Sequence, residues 1–283
     1  MTTADARHFL AEEIRVCANV RDARLIDALR TVPRERFLPA GPWLIRGMYD
    51  AGPRQTDDDD PRHVYHDVAI AIDPARTLYN GQPSLIAKWL ESLEIKAGEH
   101  VLHIGCGTGY FTALIASIVG PHGRVSAIDV DPDLAARASE NLRPWAWASA
   151  AAGDGRSNLP RDVDVVIVHA GATHVLGEWL DAARDGGRLL VPLTGTMPGM
   201  GPTIGKGATL LARRTGDEWS VKPGAMVAIY SLVGLRDAVM EQRVGQAFLG
   251  GKWMGVKRIR RDAHDAEESC IVHCVGSCLS ARV

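Results

Sequence analysis

Seven consecutive residues, His103-Ile104-Gly105-Cys106-Gly107-Thr108-Gly109, join a short apolar run to a segment of helical periodicity. Glycines at alternate positions let the backbone turn sharply and leave its peptide groups bare, and the helix that follows offers N–H donors at its N-terminus. The next apolar run ends at Asp129, where a carboxylate can accept both hydroxyls of a ribose. The order run, glycine turn, helix, run, acid reads as a nucleoside-binding unit. A turn built for a dinucleotide spaces its glycines G-x-G-x-x-G to make room for a pyrophosphate; here the third glycine comes one residue earlier.

Other chemistry-bearing groups are weaker as sites. Asp57 to Asp60 lack the alternating ligand spacing and central glycine of a calcium loop, so they read as a solvated charge run. Cys270, Cys274 and Cys278 recur every fourth residue with His273 beside the second, a looser pattern than the paired cysteines of zinc turns. The stretch Cys270 to Val275 reads instead as an apolar strand, and no metal is assigned. Lys252, Lys257, Arg258, Arg260 and Arg261 surround Trp253 and Met254 as a solvated basic surface with one buried tryptophan. No nucleophile triad stands out.

The elements that must hold the glycine turn follow from periodicity. Phe9, Leu10, Ile14 and Cys17, then Leu25, Ile26, Leu29 and Val32, make two helical stripes, the second ended by Pro33. A loop is expected over 41–61. Strands are expected at 100–104, 124–128, 146–152, 163–168 and 188–193, with helices at 110–119, 132–142 and 175–183 between them. Such alternation predicts a parallel sheet covered by helices on both faces. Beyond a Gly/Pro-rich loop over 198–207, runs at 208–214 and 225–233 have no helix between them and predict an antiparallel hairpin at the sheet edge. The chain of 283 residues is 46% hydrophobic and 23% charged, and its 32 basic against 34 acidic residues leave a net charge of −2. That balance argues against a globally basic nucleic-acid binder. No membrane-spanning run and no secretory signal are evident, and five unevenly placed cysteines argue against a disulfide framework, so a cytoplasmic enzyme is expected.

The G-x-G-x-G turn with Gly153-Asp154-Gly155 resembles the Rossmann-like S-adenosylmethionine-dependent methyltransferases. Within them the chain is most similar to the protein-L-isoaspartate O-methyltransferases. Val32-Pro33-Arg34-Glu35-Arg36-Phe37-Leu38-Pro39, Gln82-Pro83 with Ile86-Ala87, Val101 to Gly105 with Gly109-Tyr110, Asp164, and Gly186 to Leu189 before Val191-Pro192 follow that family's order of motifs over about 25–235. The resemblance implies a doubly wound, mostly parallel seven-stranded sheet with an antiparallel edge hairpin. It divides the chain into an N-terminal helical segment with the acidic loop (1–78), a cofactor-binding domain (79–235) and a C-terminal extension (236–283). It implies S-adenosyl-L-methionine held by Tyr79, His103, Gly105, Cys106, Gly107, Thr108, Gly109, Tyr110, Asp129, Val130, Gly153, Asp154 and Gly155. The acceptor side would be lined by Asn80, Gln82 and Ser84, with Tyr79 beside them, and by His169, Thr173 and His174. The chain departs from the family pattern in four places: Gly81 stands for a serine, Asn80 for the apolar residue before it, His103 for an acidic residue, and Ala172-Thr173-His174 lacks a proline. The implied reaction is O-methylation of a carboxylate on a protein or peptide. A small-molecule or RNA acceptor, or a non-catalytic relative that only binds the cofactor, keeps the same turn.

Overall fold

The computed structural model describes residues 1–47, 50, 52–76, 78–196 and 203–282. In chain order the elements are α1 (Thr3–Cys17), α2 (Ala23–Thr31), β1 (Leu44–Arg46), β2 (Arg54–Gln55), β3 (Ala69–Asp73), β4 (Leu78–Asn80), α3 (Pro83–Ser92), β5 (His100–Ile104), α4 (Tyr110–Val119) and β6 (Arg124–Asp129). There follow α5 (Pro132–Asn141), β7 (Ala148–Ala152), β8 (Val163–Val168), α6 (Gly177–Ala182), β9 (Ala183–Thr196), β10 (Ile204–Thr215), β11 (Glu218–Tyr230), α7 (Ala238–Leu249), β12 (Arg258–Arg260), β13 (Cys270–Val272) and β14 (Cys278–Ser280). The chain packs as two compact units, residues 1–99 with 106–153, and residues 100–105 with 154–283.

In the first unit, α1 opens with Thr2 and Asp5 capping each other's backbone N–H groups. It buries Ala6, Leu10, Ala11 and Ile14, whereas Phe9 and Cys17 are exposed. The expected stripe was therefore out of phase: Phe9 and Leu10 are adjacent, about 100° apart on a helix, and the face set by Ala6, Leu10 and Ile14 turns Phe9 outward. Helix α2 is capped by Asp22 and ends ahead of Val32-Pro33, where Val32 is extended. Within the expected loop over 41–61, β1 pairs with β2 and with β3, and β3 pairs with β4, giving a small antiparallel sheet ordered β2-β1-β3-β4. Asp60 caps a short 3-10 turn at Pro61–Val64 rather than standing free. Helix α4 is apolar almost all round and is buried almost all round. Strands β6 and β7 pair in parallel.

The second unit is built on one sheet ordered β5-β8-β9-β10-β11-β12-β14-β13. The pairs β5–β8 and β8–β9 are parallel, and every later pair is antiparallel. Val163 to Val168 is buried along its whole length, as a central parallel strand must be. The hairpin β10–β11 was expected at the edge and is interior, because β12 pairs with β11 through Trp219↔Ile259 and β14 and β13 continue the sheet. These three-residue strands also take the strand number past the seven expected. Of the expected loop over 198–207, residues 197–202 lie outside the described residues and Ile204 already begins β10. Among the basic residues near the C-terminus, Arg260 is paired with Asp262 and Glu267, and Arg261 with Asp181, while Trp253 is buried and Met254 exposed.

Candidate functional site

The glycine turn bends through left-handed backbone at Gly105, Gly107 and Gly109, with φ of 80°, 56° and 93°, which explains why glycine recurs at alternate positions. In the first unit the turn is latched to the end of β6. The Cys106 N–H donates to Ile128 O at 3.2 Å, and the Gly107 N–H donates to Asp129 Oδ2 at 2.7 Å. Asp131 N–H donates to the other oxygen, Asp129 Oδ1, at 3.0 Å. Each oxygen of the carboxylate thus holds one backbone donor and keeps acceptor capacity for a further one. Burial raises the Asp129 pKa above its ordinary value against the pull of those two donors. Gly153 N–H closes the end of β7 onto Asp129 O at 2.9 Å. Val130, next to the carboxylate, is a large apolar side chain left 53% exposed. Cys106 and Thr108 are buried, and burial pushes the Cys106 thiol well above its ordinary range. The Tyr110 ring lies in the core, edge-on to Phe37 at 5.6 Å and under the Arg34 guanidinium at 5.7 Å.

The segment before α3 is held by Arg34, a motif residue to which sequence reasoning gave no role, and by Asp67, which it passed over. Arg34 is fully buried and donates to the carbonyls of Val64 at 2.9 Å, His66 at 3.1 Å, Val68 at 2.8 Å and Gly81 at 3.4 Å. It ties the Val32-to-Pro39 motif to the chain ahead of β3 and to the turn at Gly81. Asp67 accepts from the Ser84 N–H at 2.8 Å, the Ser84 hydroxyl at 2.6 Å and Gln82 Nε2 at 3.2 Å. Gln82, the residue before α3, makes no side-chain cap of its own, so Asp67 satisfies the helix start from a distance. Gln82 and Ser84 are thereby committed to Asp67. Tyr79 Oη and Asn80 Oδ1 are buried polar atoms with no hydrogen-bond partner among the described residues. Such atoms cost about 1–3 kcal/mol each unless a ligand or water meets them.

In the second unit, His103 at the end of β5 is buried, and its Nε2 lies 3.3 Å from His169 Nδ1 at the end of β8. Burial, reinforced by His169, drives the His103 pKa well down, and burial alone takes His169 to about 4. Two neutral imidazoles therefore share this contact, one donating to the other, in place of a fixed anion. Thr173 is buried and binds locally: its hydroxyl lies 3.1 Å from His174 Nδ1 and donates to Leu235 O at 3.4 Å, while Asp237 N–H donates back at 3.3 Å. His174 is half-buried, and desolvation lowers its pKa. Asp154 forms a fork with Arg156, whose Nε and Nη2 each donate at 2.8 Å, and this holds the carboxyl below its ordinary pKa. A Cβ at Gly155 would overlap the side chain of Ile104, so close packing requires the glycine.

Residues 6–200 match the family model described as protein-L-isoaspartate(D-aspartate) O-methyltransferase. A protein-L-isoaspartate O-methyltransferase of Aeropyrum pernix is 30% identical over 194 residues, covering 67% of each chain. A relative in Rhodopseudomonas palustris, protein-L-isoaspartate O-methyltransferase 1, is 32% identical over 197 residues, covering 67% of this chain and 72% of its own. Among solved structures, a protein-L-isoaspartate O-methyltransferase superposes with a TM-score of 0.65 at 23% identity, covering 84% of this chain and 69% of its own. A Plasmodium falciparum protein described as a putative protein-L-isoaspartate O-methyltransferase, in complex with S-adenosyl-L-homocysteine, gives 0.59 at 15% identity, covering 80% and 97%. The α/β fold is shared with both.

Proposed function

The chain belongs to the protein-L-isoaspartate(D-aspartate) O-methyltransferase family, and on that premise we propose that it methylates a carboxylate of isoaspartyl type in a protein or peptide, using S-adenosyl-L-methionine. The observation that carries this is the latch between Gly107 and Asp129. It fixes a ribose-accepting carboxylate against a turn of bare peptide groups. The residues of the first unit fit the cofactor. Asp129 has acceptor capacity left on both oxygens for the ribose hydroxyls, exposed Val130 offers an apolar face to a purine ring, and Cys106 to Gly109 supply backbone without bulk. Tyr79 Oη and Asn80 Oδ1 are buried polar atoms that no described residue pairs, which supports a place for a ligand's polar groups there.

When bound, the cofactor would supply an electrophilic methyl group on a sulfonium, open to in-line attack by the acceptor oxygen with the neutral thioether as leaving group. A carboxylate acceptor is ionised at neutral pH and needs no general base. The work left to the chain is alignment and the exclusion of water, worth about 7–11 kcal/mol where orientation is complete. In the first unit, Arg34 and Asp67 hold the segment from Gly81 to Ser84 through four hydrogen bonds, one from Arg34 to Gly81 and three to the Asp67 carboxylate, which supports a role in alignment. Gly81 lacks a hydroxyl, so Asn80 is the acceptor-side polar group we assign. None of the five cysteines is in a disulfide, which suits a reducing compartment such as the cytoplasm.

The test is methyl transfer from radiolabelled S-adenosyl-L-methionine to a synthetic isoaspartyl peptide. The expected product is a base-labile ester whose label is released as methanol. A chain that binds the cofactor yet labels only RNA or small molecules would overturn the acceptor assignment.

A further inference from the structure

Beyond the residues that the family model matches, the second unit gathers four side chains of metal-binding type. His264, Cys270, His273 and Cys278 each present one ligand atom, and these atoms lie within 4.8 Å of one another. We propose that they form a structural zinc site of two thiolates and two imidazoles, which fastens residues 261–269 to the β13–β14 hairpin.

The cluster is of a size that a closed tetrahedral site can draw together. With zinc–sulfur and zinc–nitrogen bonds of 2.3 and 2.0–2.1 Å, the edges of such a site are about 3.3–3.8 Å. Cys270 Sγ and His264 Nε2 already stand 3.5 Å apart. The two imidazole rings lie at 74° to one another with centroids 5.0 Å apart, so they approach from different directions instead of stacking.

The surroundings orient the ligands as a metal would require. His264 Nδ1 is 2.8 Å from Asp262 O, which makes it the protonated nitrogen and turns the lone pair of Nε2 toward Cys270. The Glu267 N–H donates to Cys270 Sγ at 3.5 Å, a contact that steadies a thiolate. His273 Nδ1 is buried with no hydrogen-bond partner among the described residues, while its main-chain carbonyl is held by Arg243. Cys278 is fully buried on β14. Two sulfurs with two imidazoles suit zinc and exclude magnesium or calcium, and four protein ligands leave no open position for catalysis.

The ligand set differs from the one the cysteine spacing suggests. Cys274 starts the turn that Ser277 N–H closes onto Cys274 O at 3.2 Å, and its side chain takes no part in the cluster. The turn brings Cys278 back beside Cys270, and His264 joins from the preceding segment, which has no regular structure.

The full chain, purified without an affinity tag, should carry one zinc per molecule by mass spectrometry. Replaced by cobalt(II), it should show thiolate charge transfer and the strong visible bands of a tetrahedral site. Cys270→Ser and His264→Ala should cut bound metal at least tenfold, whereas Cys274→Ser should keep it. Cobalt spectra of the unaltered chain decide the matter even if a variant fails to fold. A reduced chain that takes up neither metal would overturn the proposal. So would equal loss in Cys274→Ser, or a Cys270–Cys278 disulfide as the stable form under reducing conditions.

Discussion

Asp129 carries the account at the level of single residues. Two backbone donors hold its carboxylate, and the ribose would add charge-assisted bonds worth about 1.5–3 kcal/mol. Asp129→Asn should therefore weaken S-adenosyl-L-homocysteine binding about 10- to 100-fold by calorimetry. Because burial raises the Asp129 pKa, affinity should be full well above that pKa and fall as pH is lowered through it. The fall should begin at a higher pH than for an ordinary aspartate, and Asp129→Asn should abolish it. The His103–His169 pair gives a second pH effect, on stability. A histidine held near 4 in the folded protein and near 6.5 when unfolded binds its proton more readily after unfolding. Stability should be full above about pH 6.5 and lost as pH falls toward 4, by about 3 kcal/mol for His169. Urea titrations across that range should show the slope, and His169→Gln should flatten it.

At the scale of elements, strength of pattern decided what could be read. Tyr110–Val119 and Val163–Val168 stand where periodicity places them, because unbroken apolar runs bounded by glycines or charges admit few alternatives. Strands β12, β13 and β14 have three residues each, too few for a period, and their pairing to β11 is visible only in the fold. The same limit applies to the site. Gly105 to Gly109 and Asp129 form a local signature, whereas Asp67 lies 17 residues from Ser84 and nothing in their spacing announces the contact. Arg34 stood inside a recognised motif, yet its four carbonyl partners were not legible. Two tests belong here. Asp67→Ala should remove the remote cap of α3 and cost about 1–2 kcal/mol in denaturant unfolding. Arg34→Met should leave four carbonyls without their donor and cost about 3 kcal/mol or more. Methyl transfer should fall in both variants, through the segment from Gly81 to Ser84.

For the molecule as a whole, the family match over 6–200 and the small net charge of −2 agree with a protein or peptide acceptor. No helix among the described residues is long and apolar enough to cross a membrane. Of the basic residues near the C-terminus, Arg260 makes ion pairs with Asp262 and Glu267 and Arg261 with Asp181, which leaves those two less free to meet a nucleic acid. The departures at Gly81 and His103 concern the acceptor side and the start of the turn, and they leave the Asp129 latch intact. The most direct measurement of the central claim compares two peptides that differ only in the linkage of one residue, isoaspartyl or aspartyl, each incubated with the chain and S-adenosyl-L-methionine. Mass spectrometry should find one added methyl on the isoaspartyl carboxylate and none on the aspartyl peptide. Equal methylation of both, or of neither while the cofactor binds, would contradict the account.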